Sequence, residues 1–435
     1  MQSNKFCSAA KSIFAIFVTL LLASIVVPAQ TQAQNYKFKV LHTFHGKDGA
    51  GPVGQLVRDQ RGNLYGVAGV GGANKCGSEG GCGTVFKMNE AGKLIWQYNF
   101  NGPDGENPVA GLLFNGGEFY GTTVYGGKIN NQICPDGLRC GVAFKLNSVG
   151  KKETVLHKFT GPPDGYFPEA LLVQDGAGNL YGTTHIGGEY GYGTVFKLNT
   201  TGIETILYNF TGGSDGCFPY AGVILDTAGN LYGVTLQGGA GFCNSGYGVV
   251  YEVDANGNET VLHTFEGSDG AYALSVLLFD SQGNLYGTTE GGGSSSACDY
   301  EGGCGTVFEV SPQKDGSWSE TLLYNFCSLS GCTDGLNPGS GPLVRDASGN
   351  LYGTTDFGGT YNNCNGDSCG VVFKLDTAGQ ETVLHSFTGG KDGALPGRGL
   401  TMDSAGDLYG AAPVGGDLSC KADTQGCGVI FKITP

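Results

Sequence analysis

The chain has 435 residues, 80 of them glycine and only 15 proline, with 11% aromatic and 14% charged residues and a formal charge of −15 at pH 7. Glycine at about two and a half times its usual share of roughly 7%, with no Gly at every third position, excludes collagen, and the many Leu, Val, Tyr and Phe exclude a disordered chain. The acidic balance argues against nucleic acid and anionic membrane surfaces as partners.

In residues 1–33, Lys5 and Lys11 precede an apolar run from Ile13 to Val27, and small residues follow near Thr31 to Ala33. This is the pattern of a secretory signal peptide. The run is shorter than the ~20 residues of a membrane span, and Cys7 lies before it, badly placed for lipidation. Loss of Lys5 and Lys11 takes the formal charge to −17. The expected mature protein, 34–435, is secreted to the periplasm or the medium, monomeric and without a membrane span.

Downstream, four kinds of segment recur in fixed order. Strand A is a small residue, two aliphatics and usually Asp, as in Leu56-Val57-Arg58-Asp59; strand B is Leu-Tyr-Gly-Thr-Thr, with its Tyr at 65, 120, 181, 232, 286, 352 and 409. Strand C is Gly-x-x-aromatic-Lys/Glu, centred on Phe86, Phe144, Phe196, Tyr251, Phe308, Phe373 and Phe431. Strand D is of the VLHxF type, ending at Phe44, Phe100, Phe159, Phe210, Phe265, Phe326 and Phe387. Each piece is short, β-branched or aromatic, and bounded by Gly, Asp and Asn, as strands are. Four strands per unit of 51 to 66 residues predict the blades of a β-propeller.

The expected fold is therefore all-β, a single seven-bladed β-propeller with four antiparallel strands per blade. Blades start near Val53, Val109, Pro168, Ala221, Leu274, Gly341 and Gly397. The repeats open on a D strand, Lys37 to Phe44, and finish on a C strand, Gly428 to Ile433. In a ring the first completes the last blade; an open array would leave two bare sheet edges.

The string Asp-x-x-Gly-Asn-Leu-Tyr-Gly-Thr-Thr, followed by Gly-Gly, GTVFK and ETVLHSF, resembles the exported choice-of-anchor tandem-repeat family called GloVer over nearly the whole mature chain. It is more loosely similar to the blade motif of two-component-regulator and streptogramin-lyase-type propellers. The resemblance implies export and the propeller fold but brings no catalytic residues, and no C-terminal anchor is visible here.

Fourteen cysteines follow Cys7, an even number in an exported chain, which implies disulfides. Six pairs are close in sequence: Cys76 with Cys82, Cys134 with Cys140, Cys298 with Cys304, Cys327 with Cys332, Cys364 with Cys369, and Cys420 with Cys427. The remaining two, Cys217 in a D–A loop and Cys243 in the B–C loop of the same blade, share one face of a propeller and can meet. Four to six intervening residues do not suit structural zinc.

Most acids and histidines belong to the repeat. Asp59, Asp175, Asp226, Asp280, Asp346 and Asp403 end strand A, with Asn115 in the remaining blade; Asp48, Asp104, Asp164, Asp215, Asp269, Asp334 and Asp392 precede Gly in the D–A loop. A residue demanded by every blade is a turn residue, and the loops lack the D-x-D-x-D-G string of a calcium site. His42, His157, His263 and His385 share one strand D position with Tyr98, Tyr208 and Tyr324. No metal or cofactor is expected.

Function is then sought in departures from the repeat. After Asp-Gly, blades 3 to 5 carry Tyr166, Phe167, Phe218 and Tyr272, with Tyr220 beginning the next strand and Glu169 before the small residue of strand A. This one-sided aromatic arc on the D–A/B–C loop face suits a glycan, peptide or protein ligand, although loop packing alone would also explain it. The residue after Thr-Thr is polar only as His185, Glu290 and Asp356, and Arg398 replaces the small channel-facing residue in blade 7. An exported, non-catalytic binding or scaffold propeller is the first expectation. A carbohydrate-active or lyase-type enzyme using His185, Glu290 and Arg398 is the alternative, and a structural envelope protein the third.

Overall fold

The computed structural model describes residues 36–435 except 77–79, 128–138, 151, 296, 299–302, 365–367, 421 and 423–424. The signal peptide expected at 1–33 and Cys134 lie outside the described residues. Six of the seven blades grow from the hydrogen bonds of the Asp that ends strand A in Asp-x-x-Gly-x-Leu-Tyr; blade 2 has Asn115 there. In blade 1, Asp59 Oδ1 accepts the amides of Arg61 and Asn63 at 2.9 and 2.8 Å, while Oδ2 accepts the Asn63 side-chain amide at 2.8 Å and the Tyr65 hydroxyl at 3.0 Å. One side chain thereby fixes the A–B turn and ties it to strand B; Asp175, Asn179 and Tyr181 repeat the arrangement.

Seven four-strand blades result. Blade 1 comprises Ala50–Arg58, Leu64–Val70, Thr84–Met88 and Leu94–Asn99, each strand antiparallel to the next. Blade 7 joins Leu400–Met402, Leu408–Ala412 and Val429–Thr434 to the N-terminal Lys37–Thr43. Lys37 lies opposite Thr434 and Thr43 opposite Val429, so the first strand closes the ring as expected. Strand A is shorter than the sequence suggested: in blades 3 and 4 only Val173–Gln174 and Ile224–Leu225 pair in the sheet. The inner ends of these strands crowd the axis instead, where a Cβ on Gly222 would lie 2.4 Å from Leu171 O.

Neighbouring blades are joined by a circle of aromatic pairs between each strand D phenyl and the strand C ring of the next blade. Phe100 meets Phe144 with centroids 5.1 Å apart, Phe210 meets Tyr251 at 5.1 Å, and Phe44 of the closing strand meets Phe86 at 5.3 Å. The Gly of Leu-Tyr-Gly makes room for them, since a Cβ on Gly66 would sit 2.6 Å from Phe86 Cζ.

Six expected disulfides are present among the described residues: Cys76–Cys82, Cys298–Cys304, Cys327–Cys332, Cys364–Cys369, Cys420–Cys427 and the longer Cys217–Cys243 link. Cys140 is also disulfide-bonded. Such bonds belong to an oxidising environment, and none of the described helices is long and apolar enough to cross a membrane.

Candidate functional site

At the second residue after each Asp-Gly the backbone is left-handed: φ is 60° at Gly51, 58° at Asn107, Phe167 and Phe218, 60° at Tyr272, 51° at Asn337 and 57° at Leu395. This turn aims the residue's N–H at the blade before. Asn107 donates to Cys82 O at 3.0 Å, Asn337 to Cys304 O at 2.9 Å, and Gly51 to Cys427 O at 3.1 Å across the ring closure. In most blades the acceptor is the second cysteine of a B–C loop pair. Blades 3 and 4 have no such pair and present Tyr192 and Tyr247 instead, which accept from Phe218 and Tyr272 at 2.9 Å each.

Two members of the aromatic arc pack on these tyrosines. Tyr192 packs edge-on to Phe218 with centroids 6.0 Å apart, and Tyr247 to Tyr272 at 6.2 Å. Tyr166 and Phe167 are each only 8% exposed and contact one another edge-on. Four members of the arc are thus packed between loops, with Phe218 and Tyr272 half-buried rather than laid out as an open platform.

Polar departures from the repeat gather elsewhere, at the end of the central channel beside these loops. All seven blades line the channel, through Gln55, Ala110, Glu169, Tyr220, Val276, Ser340 and Arg398 among others. Arg398 Nη1 donates to Ser340 Oγ at 3.1 Å, and the guanidinium also hydrogen-bonds Tyr220. Asp356 accepts the Gly397 amide at 3.1 Å.

Burial governs the charges here. It pushes the Glu169 carboxyl up to about 7 against the pull of Arg398, and it raises Asp356 against Arg398 and the Gly397 amide. It also opposes the charge of Arg398, but Tyr220, Asp356 and Glu169 outweigh it and keep the guanidinium protonated. The cavity measures ≈ 40 Å³, room for a few waters and not for a sugar ring, so a larger ligand would rest over the mouth.

His185 stands behind this cluster. Its ring stacks on Phe218 at 5.4 Å and meets Tyr220 edge-on at 5.5 Å, its Nδ1 is buried without a hydrogen-bond partner, and burial lowers its pKa to about 4. Glu290 is not among the residues lining the channel. Of the sequence candidates, Glu169, Tyr220 and Arg398 are therefore brought together, with His185 touching Tyr220 and Phe218. Ser340 is an addition: it occupies the strand A position of Glu169 and Tyr220, where so small and common a residue gave little signal in the sequence.

The acids before Gly in the D–A loop are engaged throughout. Each is held by the strand D His or Tyr of the preceding blade: Asp48 by His42 at 3.0 Å, Asp104 by Tyr98 at 2.6 Å, Asp269 by His263 at 2.9 Å, Asp334 by Tyr324 at 2.9 Å.

A family model described as Gloeobacter/Verrucomicrobia repeat matches residues 76–300 and 297–435. No curated protein sequence matches the chain. Among solved structures, virginiamycin B lyase from Staphylococcus aureus is similar at 12% identity and a TM-score of 0.54, over 92% of this chain and 99% of that one. A catalytically inactive variant of that lyase with quinupristin gives 11% identity, the same TM-score of 0.54 and the same shares of 92% and 99%. A fungal alcohol oxidase of the AA5 family, in complex with copper, gives 14% identity and a TM-score of 0.53 over 92% of this chain and 76% of that one. These likenesses concern the fold, and they agree with the resemblance to lyase-type propellers drawn from the blade motif.

Proposed function

Because the chain belongs to the Gloeobacter/Verrucomicrobia repeat family and Glu169, Tyr220, Ser340 and Arg398 converge on one channel, we propose that it is an exported, non-catalytic propeller that binds a glycan or peptide at its mouth. The pattern of residues 1–33 and the disulfides support export. The carrying observation is the cluster of Arg398 with Glu169, Tyr220, Asp356 and Ser340. It offers donors and acceptors side by side at the one place where all blades meet, an arrangement suited to hydroxyl and amide groups. In this reading Tyr220 and Glu169 contact the ligand, while Tyr166, Phe167, Phe218 and Tyr272 hold the loops that frame it. No cofactor is invoked, and the protein acts as a monomer.

Binding is favoured over catalysis by the state of His185. A general base works best with a pKa near the working pH, whereas burial holds this imidazole at about 4. Probing a glycan and peptide array with the wild type and with Tyr220→Phe and Glu169→Gln tests the proposal. Ligands retained by the wild type should be weakened about tenfold or more in each variant, the change in affinity expected for roughly 1.4 kcal/mol. Equal binding by all three proteins would remove the channel mouth as the site.

A further inference from the structure

We propose that at five of the seven blade interfaces a buried glutamate lying against the aspartate of a D–A loop keeps its proton, so that the ring is tightest in mildly acidic solution and loosens as the pH rises. The pairs join the Asp of a D–A loop to a Glu at the start of strand D in the next blade. Glu153, Glu204, Glu259, Glu320 and Glu381 occupy one register position, opposite Leu146, Leu198, Val253, Val310 and Leu375 respectively. Each has its Oε1 buried with no hydrogen-bond partner, an unusual recurrence for an acid that could otherwise face water.

Geometry explains the recurrence. Between blades 2 and 3, His157 Nε2, Asp164 and Glu204 bring their polar atoms within 4.8 Å of one another; between blades 4 and 5, His263, Asp269 and Glu320 do the same. The side chains of Asp164 and Glu204 are each 13% exposed. Two carboxylates so close and so dry do not both ionise, and one proton serves the pair. The Glu204 O–H donates to Asp164. In the other three interfaces a tyrosine replaces the histidine and donates to the loop Asp, Tyr98 to Asp104, Tyr208 to Asp215 and Tyr324 to Asp334, whose charge then bears on the buried Glu153, Glu259 and Glu381.

The facing charges are few. Burial and Asp164 push Glu204 up to about 9; burial and Asp104 push Glu153 to about 7, with Lys158 pulling the other way; burial and Asp215 push Glu259 to about 7. Burial and Asp334 push Glu381 to about 8. Burial also raises Glu320, with His263 opposing and Asp269 adding to it. A glutamate whose carboxyl is raised on folding stabilises the folded state fully below its ordinary value near 4.5, and that contribution disappears as the pH climbs through the folded value. The window is therefore about pH 4.5 to 9. The two interfaces of the closing blade are exempt: Phe38 stands in the glutamate position and stacks on His385 at 3.7 Å, and Leu94 holds the other.

The test is thermal unfolding of the disulfide-intact protein at pH 5, 7 and 9. It compares the wild type with a variant carrying Gln at positions 153, 204, 259, 320 and 381, whose amides keep a donor for each Asp and cannot ionise. The wild-type Tm should fall by roughly 5 °C or more from pH 5 to 9, and the variant should lose most of that slope. The single variant Glu204→Gln, which needs only one interface to accept the change, should lose about a fifth or more of it. A flat wild-type profile, or wild-type slope retained in the glutamine variants, would overturn the proposal.

Discussion

The hydroxyl of Tyr98 donates to Asp104 Oδ2 at 2.6 Å, joining the end of one blade to the loop that opens the next. Asp104 also accepts the Asn101 backbone and side-chain amides, at 2.8 and 2.7 Å, so the phenol completes the set of donors on a buried carboxylate. Tyr98→Phe is expected to destabilise the protein by about 1–2 kcal/mol. Tyr98→His, the residue found at this place in four other blades, should cost less, and urea midpoints of the two variants give the comparison.

Arg398 is the buried cation that Glu169 and Asp356 face. Arg398→Met leaves both acids without it and should cost roughly 3–5 kcal/mol, as removal of one partner from a buried ion pair does. Adding Asp356→Asn to that variant should recover part of the loss. Additive costs in the double-mutant cycle would mean that the two groups do not interact.

Glu169 titrates near 7 because burial disfavours its charge. Ligand binding at the mouth should therefore change between pH 6 and 8, and Glu169→Gln should remove that dependence while leaving a pH-independent affinity. Calorimetric titration of an array hit across this range makes the measurement.

His185 has the opposite sign from the interface glutamates. Its imidazole is depressed to about 4 from an ordinary value near 6.5 by burial, so its contribution is intact above pH 6.5 and is lost as the pH falls toward 4. Phe218→Ala, which opens the stacked face of the ring, should raise the His185 pKa toward 6.5. Histidine ring resonances followed through a pH titration report it directly.

The Cys217–Cys243 bond spans a separation of 26 residues, long enough for its removal to cost about 3 kcal/mol. It also sits where blades 3 and 4 lack the B–C loop pair. Cys217→Ala/Cys243→Ala should lower Tm more than Cys364→Ala/Cys369→Ala, which removes a separation of 5.

Sequence alone carried the ring a long way because each blade must satisfy the same turn and the same phenyl contact, and Asp59, Asn63, Tyr65, Gly66 and Phe86 recur for those reasons. Closure was legible from the displaced strand at Lys37. Pairings between blades were less so: the interface glutamates lie 40 to 51 positions from the loop aspartates they face, with no fixed spacing. His42 and Asp48 were each recognised as repeated, yet the bond between them, and the glutamate that joins it in five interfaces, depends on how blades dock. The aromatic arc illustrates the converse. Phe218 and Tyr272 stand out in the sequence, but that they pack on Tyr192 and Tyr247, which stand where other blades carry cysteine, shows only in the folded loops. At the channel mouth, Arg398 and Glu169 were visible as exceptions, while Ser340 was hidden by being small and common.

Lys37 lies opposite Thr434 in the closing blade, so the first and last strands run side by side with their outer ends adjacent. The circle consequently has no privileged point of entry. A short turn joining Pro435 to Tyr36, of the kind that links strands C and D in every other blade, would restore chain continuity there, and the gene could be reopened at any other C–D turn. Such circular permutants should fold to the same ring, with the task of final closure passed to a different blade.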